Sequence, residues 1–213
     1  MSSISILEKV KSIAGNDTVM IFGPSGSGKT TFCLALAYEA IKSKLKVIYL
    51  DTERNLNNPP GELDYHYLPD LREVYAYVKA MPKANIAIID SLSTPIITAY
   101  SSANMADKGA MLLKATELSG QLKLWTWRNE GLAVVTNQLT SQFGKTNIKE
   151  EDLPPRLGSS IYQYKEVWRT TATVESDKTI CLIKAWRSRK YPRGKPLFRM
   201  TISDQGVKIE PLV

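Results

Sequence analysis

The run Gly23-Pro24-Ser25-Gly26-Ser27-Gly28-Lys29-Thr30 restricts this chain more than any other feature. It matches the pattern G-x-x-x-x-G-K-[ST] in full. An apolar stretch, residues 18–22, precedes it, and a helix-periodic stretch, 29–43 with Phe32, Leu36 and Ala40 on one face, follows it. Glycines at this spacing let backbone N–H groups turn inward around phosphates, and the N-terminus of the next helix adds the positive end of its dipole. Lys29 is then expected at the β- and γ-phosphates, and the Thr30 hydroxyl at Mg²⁺. Gly23, Pro24, Ser25, Gly26, Ser27, Gly28, Lys29, Thr30 and Thr31 are the expected nucleotide-binding residues, with ATP and Mg²⁺ as the cofactors. A chance glycine-rich turn is the competing reading. The motif alone does not separate ATPases from GTPases or small-molecule kinases.

The surrounding pattern predicts an α/β fold. Apolar runs at 47–50, 86–89 and 132–136 alternate with helical stretches at 71–81 and 105–129, the latter closed by Gly131. Such runs separated by helices indicate a parallel sheet covered on both faces. The last third differs: 167–175, 179–185 and 197–202 are rich in β-branched and aromatic residues, with short turns at Ser176-Asp177 and Asp204-Gln205-Gly206. These predict antiparallel strands extending the sheet. The expected fold class is a P-loop NTPase core with a mostly parallel central sheet, helices on both faces and an antiparallel C-terminal extension. No repeat or linker divides residues 1–213, so one domain is expected.

The chain has 213 residues, enough to bury a large core, and 43% of them are hydrophobic. No apolar run approaches the ~18 residues of a membrane span. The first residues lack a secretory signal, and the two cysteines, Cys33 and Cys181, make no disulfide framework. A cytoplasmic protein without membrane partners is expected. His66 is the only histidine, which excludes a metal cluster of several histidines. The formal charge is +7, and residues 156–208 hold 12 Lys/Arg against 4 Asp/Glu, so the excess sits in the last third. Such a distribution suits a polyanionic partner or a solvated basic face.

Three polar strand ends fall where a bound nucleotide would lie. Asp90 ends the run Ile86-Ala-Ile-Ile-Ile-Asp and can hold the Mg²⁺ water shell, or merely cap a helix. Glu53, in Asp51-Thr-Glu-Arg54, can orient or deprotonate an attacking water, or be a surface residue. Asn137-Gln138 ends Ala133-Val-Val-Thr-Asn-Gln, where an amide can sense the γ-phosphate or simply finish the strand.

Taken in order, the P-loop, Asp51-Thr-Glu53, the Ile-Ile-Asp90-Ser strand, Thr136-Asn-Gln138-Leu and the tail with Arg187-Ser-Arg189 and Phe198-Arg-Met-Thr-Ile-Ser-Asp-Gln-Gly206 resemble the ATPase core of the RecA/RadA recombinases. Within that superfamily they are most like the short archaeal RadA paralogs, the RadB-like proteins, along residues 13–209. The resemblance implies a RecA-like fold, Lys29, Glu53 and Gln138 as the catalytic residues, and Gln138 as γ-phosphate sensor. It further implies that 98–108 and 139–157 form the first and second DNA-binding loops. The helix-hairpin-helix domain and Phe-x-x-Ala hook of RadA are not expected here, and neither is a long filament. Phe32-Cys-Leu-Ala35 matches the hook's letters inside the helix after the P-loop, where core packing explains it. Arg54 stands where recombinases usually have glycine. Leu118-Ser-Gly-Gln-Leu122, an echo of the transporter-ATPase signature, follows Asp90 instead of preceding it and is read as chance.

Arg187, Arg189, Lys190 and Arg193 form the densest basic cluster, around Pro192 and Gly194. They can contact DNA phosphates, reach a neighbour's ATP, or sit on a solvated hairpin tip. The function expected from the resemblance is a weak or DNA-dependent ATPase, accessory to recombination and repair. Single-stranded DNA and a RadA-type recombinase or another paralog are its expected partners. A nucleotide-switch regulator and a small-molecule P-loop kinase are the alternatives.

Overall fold

The computed structural model describes residues 5–104, 107–139, 153–156 and 163–213. Its centre is a nine-stranded sheet in the order β3-β2-β4-β5-β1-β6-β7-β8-β9. The parallel part comprises β1 (Thr18–Gly23), β2 (Val47–Asp51), β3 (Asp64–Tyr67), β4 (Ile86–Asp90), β5 (Leu132–Gln138) and β6 (Glu166–Glu175). The antiparallel part adds β7 (Lys178–Arg187), β8 (Pro196–Ser203) and β9 (Gly206–Pro211). Strands β1, β2 and β4 are buried along their whole length, as sheet strands covered on both faces must be.

Two apolar layers account for that burial. One packs α1 (Ile6–Ala14) and α2 (Lys29–Lys42) through Val10, Ile13, Phe32 and Leu36 against Ile21, Tyr49, Trp168 and Phe198. The other packs α3 (Leu71–Lys79), α4 (Ser93–Ser102) and α5 (Lys108–Asn129) through Val74, Ile96, Leu118 and Leu122 against Phe22, Leu50, Ile89 and Val135. Phe32 of Phe32-Cys-Leu-Ala35, and Leu118 and Leu122 of the transporter echo, are thus core residues. Among the described residues no helix is long and apolar enough to cross a membrane.

The structure corrects several expectations. Strand β6 pairs parallel to β1, with Ile21 opposite Trp168, so the antiparallel extension begins one strand later than its composition suggests. Helix α1 was not expected, although Ser5 and Glu8 form a reciprocal capping box ahead of Ile6, Val10 and Ile13. Strand β3 is a short polar edge strand whose sequence, Asp-Tyr-His-Tyr, carries no apolar alternation. Strand β9 follows the Asp204-Gln205 turn and pairs along β8. Helix α5 ends at Glu130, which takes the left-handed conformation (φ 51°). Gly131 serves close packing instead, since a Cβ there would lie 2.9 Å from the Trp125 ring. Residues 98–102, expected in the first DNA-binding loop, continue α4, and 108 opens α5, because Ile96 anchors one helix in the core and Leu118 the other. Residues 105 and 106 lie outside the described residues.

Candidate nucleotide site

The C-terminal ends of β1, β2, β4 and β5 converge on the N-terminus of α2. This is where a parallel α/β sheet places its ligands. A cleft of about 240 Å³ lies there. It is lined by Ser25, Gly26, Gly28, Lys29, Thr30 and Thr31 from the loop and helix, and by Glu53, Asp90 and Gln138 from the other strand ends. Asn55, Ser91, Thr136 and Ile202 complete the lining. Lys29, Thr30, Glu53, Asp90 and Gln138, spread over more than a hundred residues of the chain and all named from sequence, therefore face one cleft.

The loop glycines have separate reasons. Gly26 (φ 73°) and Gly28 (φ 82°) occupy the left-handed region that favours glycine, and Gly28 is the N-cap of α2. A Cβ on Gly28 would stand 2.2 Å from Met200 Cε, and one on Gly23 2.2 Å from Thr170 Oγ1. Gly28→Ala is expected to lower stability by about 1–3 kcal/mol through overpacking. A thermal-unfolding midpoint equal to that of the unchanged chain would contradict this packing.

Lys29 Nζ donates to the carbonyls of Pro24 (2.7 Å) and Gly23 (3.1 Å), which folds the side chain along the loop. Burial lowers the pKa of its ammonium, while Asp90 and Glu53 act in the opposite direction. Asp90 is buried and accepts from Thr136 Oγ1 (2.6 Å), Tyr49 OH (2.9 Å) and Asn55 Nδ2 (3.4 Å). Burial raises its pKa, opposed by hydrogen bonds from Thr136, Thr30 and Tyr49. A carboxylate beside a threonine hydroxyl is an oxygen donor set suited to Mg²⁺, which keeps several of its own waters. Among the described residues no cluster of three His, Cys, Asp or Glu offers a full protein cage, so such an ion would rely on Thr30, Asp90, water and phosphate oxygens.

Glu53 Oε1 accepts from Ser91 Oγ (2.8 Å), Thr94 Oγ1 and, at 3.4 Å, Gln138 Nε2. Burial penalises its charge, but the hydrogen bonds from Thr94, Ser91 and Asn55 and the charge of Lys29 together hold it below the usual carboxylate range. Thr52 Oγ1 donates to Ser91 O (2.7 Å) and accepts from Ser91 N (3.0 Å), which locks the ends of β2 and β4 together beneath Glu53. Arg54, next along, has φ 58°, a value that favours glycine, with its guanidinium 5.9 Å from the Tyr67 ring centre.

Asn137 does not face the cleft as its neighbour Gln138 does. It is fully buried, and its Nδ2 donates to Arg156 O (2.7 Å), while Arg156 N donates to Gln138 O (2.9 Å). Residues 139 and 153–156 of the second expected DNA loop are described, and the rest of that loop lies outside the described residues. Sequence reading missed Tyr49, Asn55 and Thr170, and gave Ser91 and Thr136 no role at the cleft. Ser91 and Thr136, inside the quoted Ile-Ile-Asp-Ser and Thr-Asn-Gln runs, carried a local signal.

The basic cluster lies elsewhere. Arg187 pairs with Val167 near the start of β6, and the 188–195 hairpin follows. It thus sits at the edge where the parallel strands begin, opposite the P-loop. Arg187 donates to Tyr164 O, Lys190 Nζ to Ser12 O (3.3 Å), and the Arg193 guanidinium stacks 3.7 Å from the Trp186 ring centre.

Comparison with known proteins agrees with this architecture. Residues 2–63 match the family of IstB-like ATP binding proteins. "DNA repair and recombination protein RadB" of Methanococcoides burtonii is 29% identical over 204 residues, 88% of this chain and 87% of that protein. RadB of Methanosphaera stadtmanae is 25% identical over 212 residues, 87% of this chain and 84% of the relative. RadB of Methanobrevibacter smithii is 29% identical over 196 residues, 79% of this chain and 78% of its own. A solved structure described as the RadB recombinase superposes with a TM-score of 0.67 at 18% identity, covering 97% of each chain. The chain is RadB-like: it has the RecA-type fold and resembles, along most of its length, the RadB proteins of the RecA/RadA superfamily.

Proposed function

We propose that residues 1–213 act as a single RecA-like ATPase domain in the cytoplasm, binding ATP with Mg²⁺, hydrolysing it slowly, and assisting DNA recombination and repair. The observation that carries this reading is the meeting of Lys29, Thr30, Glu53, Asp90 and Gln138 in one cleft at the end of the sheet. The names of the curated relatives supply the recombination and repair context. Lys29 leaves the Pro24 and Gly23 carbonyls for the phosphates, and its charge neutralises part of theirs. Thr30 and Asp90 would hold Mg²⁺, which would supply charge withdrawal from the phosphate oxygens. Glu53 orients the attacking water and receives its proton. Because hydrogen bonds hold Glu53 low, it is a weak proton acceptor, which fits slow turnover. Gln138 touches Glu53 and, through its main chain, Arg156, so it connects the cleft with the neck of the 139–157 segment.

One observation favours a second reading, a nucleotide switch that scarcely hydrolyses. Glu53 Oε1 is already shared by three side-chain donors. Single-turnover hydrolysis with and without single-stranded DNA separates the two. The ATPase reading expects a measurable rate that DNA raises, and bound ATP that persists unchanged in both arms would leave the switch.

Single-stranded DNA is the proposed polyanionic partner, with Arg187, Arg189, Lys190 and Arg193 among its contacts. A RadA-type recombinase or another paralog is the proposed protein partner, without a long filament. Phosphate contacts release counterions, so log affinity should fall with log salt by about 0.7 per phosphate contacted. Neutralising Arg189 and Lys190 together should weaken binding on every sequence and flatten that slope by about 1.4. An unchanged slope in filter-binding titrations would make the hairpin a solvated tip.

A further inference from the structure

The P-loop rests on the antiparallel extension as well as on its own strand. Ser25 is exposed at the cleft, but Ser27 is 1% exposed and its hydroxyl is turned away from it. Ser27 Oγ donates to Pro24 O (2.8 Å) and lies 2.5 Å from Oγ1 of Thr170, a fully buried residue of β6. A serine hydroxyl has one proton, so with that proton on Pro24 O the Ser27 oxygen accepts from Thr170, whose hydroxyl also has Phe22 O as a more distant acceptor at 3.4 Å. Cys181 of β7 and Met200 of β8 pack under Gly28 in the same way.

We propose that Thr170 is a positioning residue for nucleotide binding: through Ser27 it holds the Pro24 carbonyl in place when Lys29 leaves that carbonyl for the phosphates. The inference rests on the reading of the cleft as a nucleotide site. Pro24 O has three donors: Lys29 Nζ (2.7 Å), Ser27 Oγ (2.8 Å) and, at a longer 3.3 Å, the Ser27 main-chain N–H. Once Lys29 turns to a phosphate, the two groups of Ser27 remain, and the hydroxyl is the shorter contact of the two. Its own orientation depends on Thr170, because a hydroxyl without a fixed acceptor role can rotate to other partners. This three-member chain then helps the loop's N–H groups keep their inward aim. Thr170 does not line the cleft and is not among the side chains bonded to Glu53, so it should act on binding and not on the chemical step.

Three variants test this, each assayed for ATP hydrolysis with Mg²⁺, ATP affinity and thermal unfolding. Thr170→Val keeps the shape and removes the hydroxyl. It should raise KM and Kd for ATP about tenfold, the effect of one lost buried hydrogen bond, with kcat within about twofold. Thr170→Ser should restore affinity to within about twofold of the unchanged chain. Ser27→Ala should match Thr170→Val, and the double variant should be no worse than either single one, because members of one network are not additive. Equal ATP affinity in Thr170→Val and the unchanged chain would overturn the proposal while leaving the nucleotide site standing. So would a Thr170→Ser variant as impaired as Thr170→Val, because the methyl group would then be what matters. No ATP binding by the unchanged chain would remove the nucleotide reading and this inference together. Should Thr170→Val fail to fold, Ser27→Ala and Thr170→Ser decide the question: the first must lose affinity and the second must keep it.

Discussion

Lys29→Ala is expected to abolish ATP binding while the protein stays folded. In the structure Lys29 gives two hydrogen bonds to loop carbonyls, and both can turn to phosphate oxygens when a nucleotide arrives. Charge-assisted hydrogen bonds contribute about 1.5–3 kcal/mol each. Losing two of them weakens binding by about 10²–10⁴-fold. The fold should survive, because the truncated side chain lies at the rim of the cleft and not in either apolar layer. The Gly23 and Pro24 carbonyls lose a donor, but water in the cleft can replace it, and Ser27 still serves Pro24. Titration calorimetry with ATP–Mg²⁺, beside a circular-dichroism melt, measures both halves. Undiminished affinity would dismiss the loop as the phosphate site, and an unfolded variant would show that Lys29 has a structural role this geometry does not explain.

Glu53→Gln should bind ATP as the unchanged chain does and hydrolyse it about 10²–10⁴-fold more slowly, the usual cost of losing a general base. The substitution suits this site because Gln keeps an acceptor oxygen for Ser91 and Thr94 in place of Glu53 Oε1. The second oxygen becomes an NH₂ group that cannot take a proton. Removing the negative charge also removes one of the influences that raise the Lys29 pKa, so ATP affinity should be checked at more than one pH. Single-turnover hydrolysis is the decisive measurement. A rate equal to that of the unchanged chain would assign Glu53 to the loop framework and leave the nucleotide-switch reading in place.

Sequence and structure contributed to different parts of this description. The loop from Gly23 to Thr30 was legible at once, because phosphate binding needs glycines and a lysine at one fixed local spacing. The buried runs ending in Asp90 and Gln138 were legible for a similar reason: a strand covered on both faces must be apolar throughout, and a polar residue marks where it leaves the core. Helix α1 was readable in principle from its capping box and apolar spacing. Strand β3 was not, since an edge strand of Asp-Tyr-His-Tyr carries no such period.

The residues themselves thus determined the phosphate loop, the strand–helix alternation and the polar strand ends, all of which depend on neighbours within a few positions along the chain. Only the tertiary structure decided which of those groups meet. It placed Thr170, 143 residues from Ser27, beneath the loop, and it turned Asn137 inward to Arg156 while Gln138 reached Glu53. It also set the basic 188–195 hairpin at the opposite edge of the sheet from the P-loop, because β7 runs antiparallel to β6 and carries its C-terminal end away from the cleft. Register and the choice of neighbouring strand are properties of pairing between distant segments, and no local pattern of residue types encodes them.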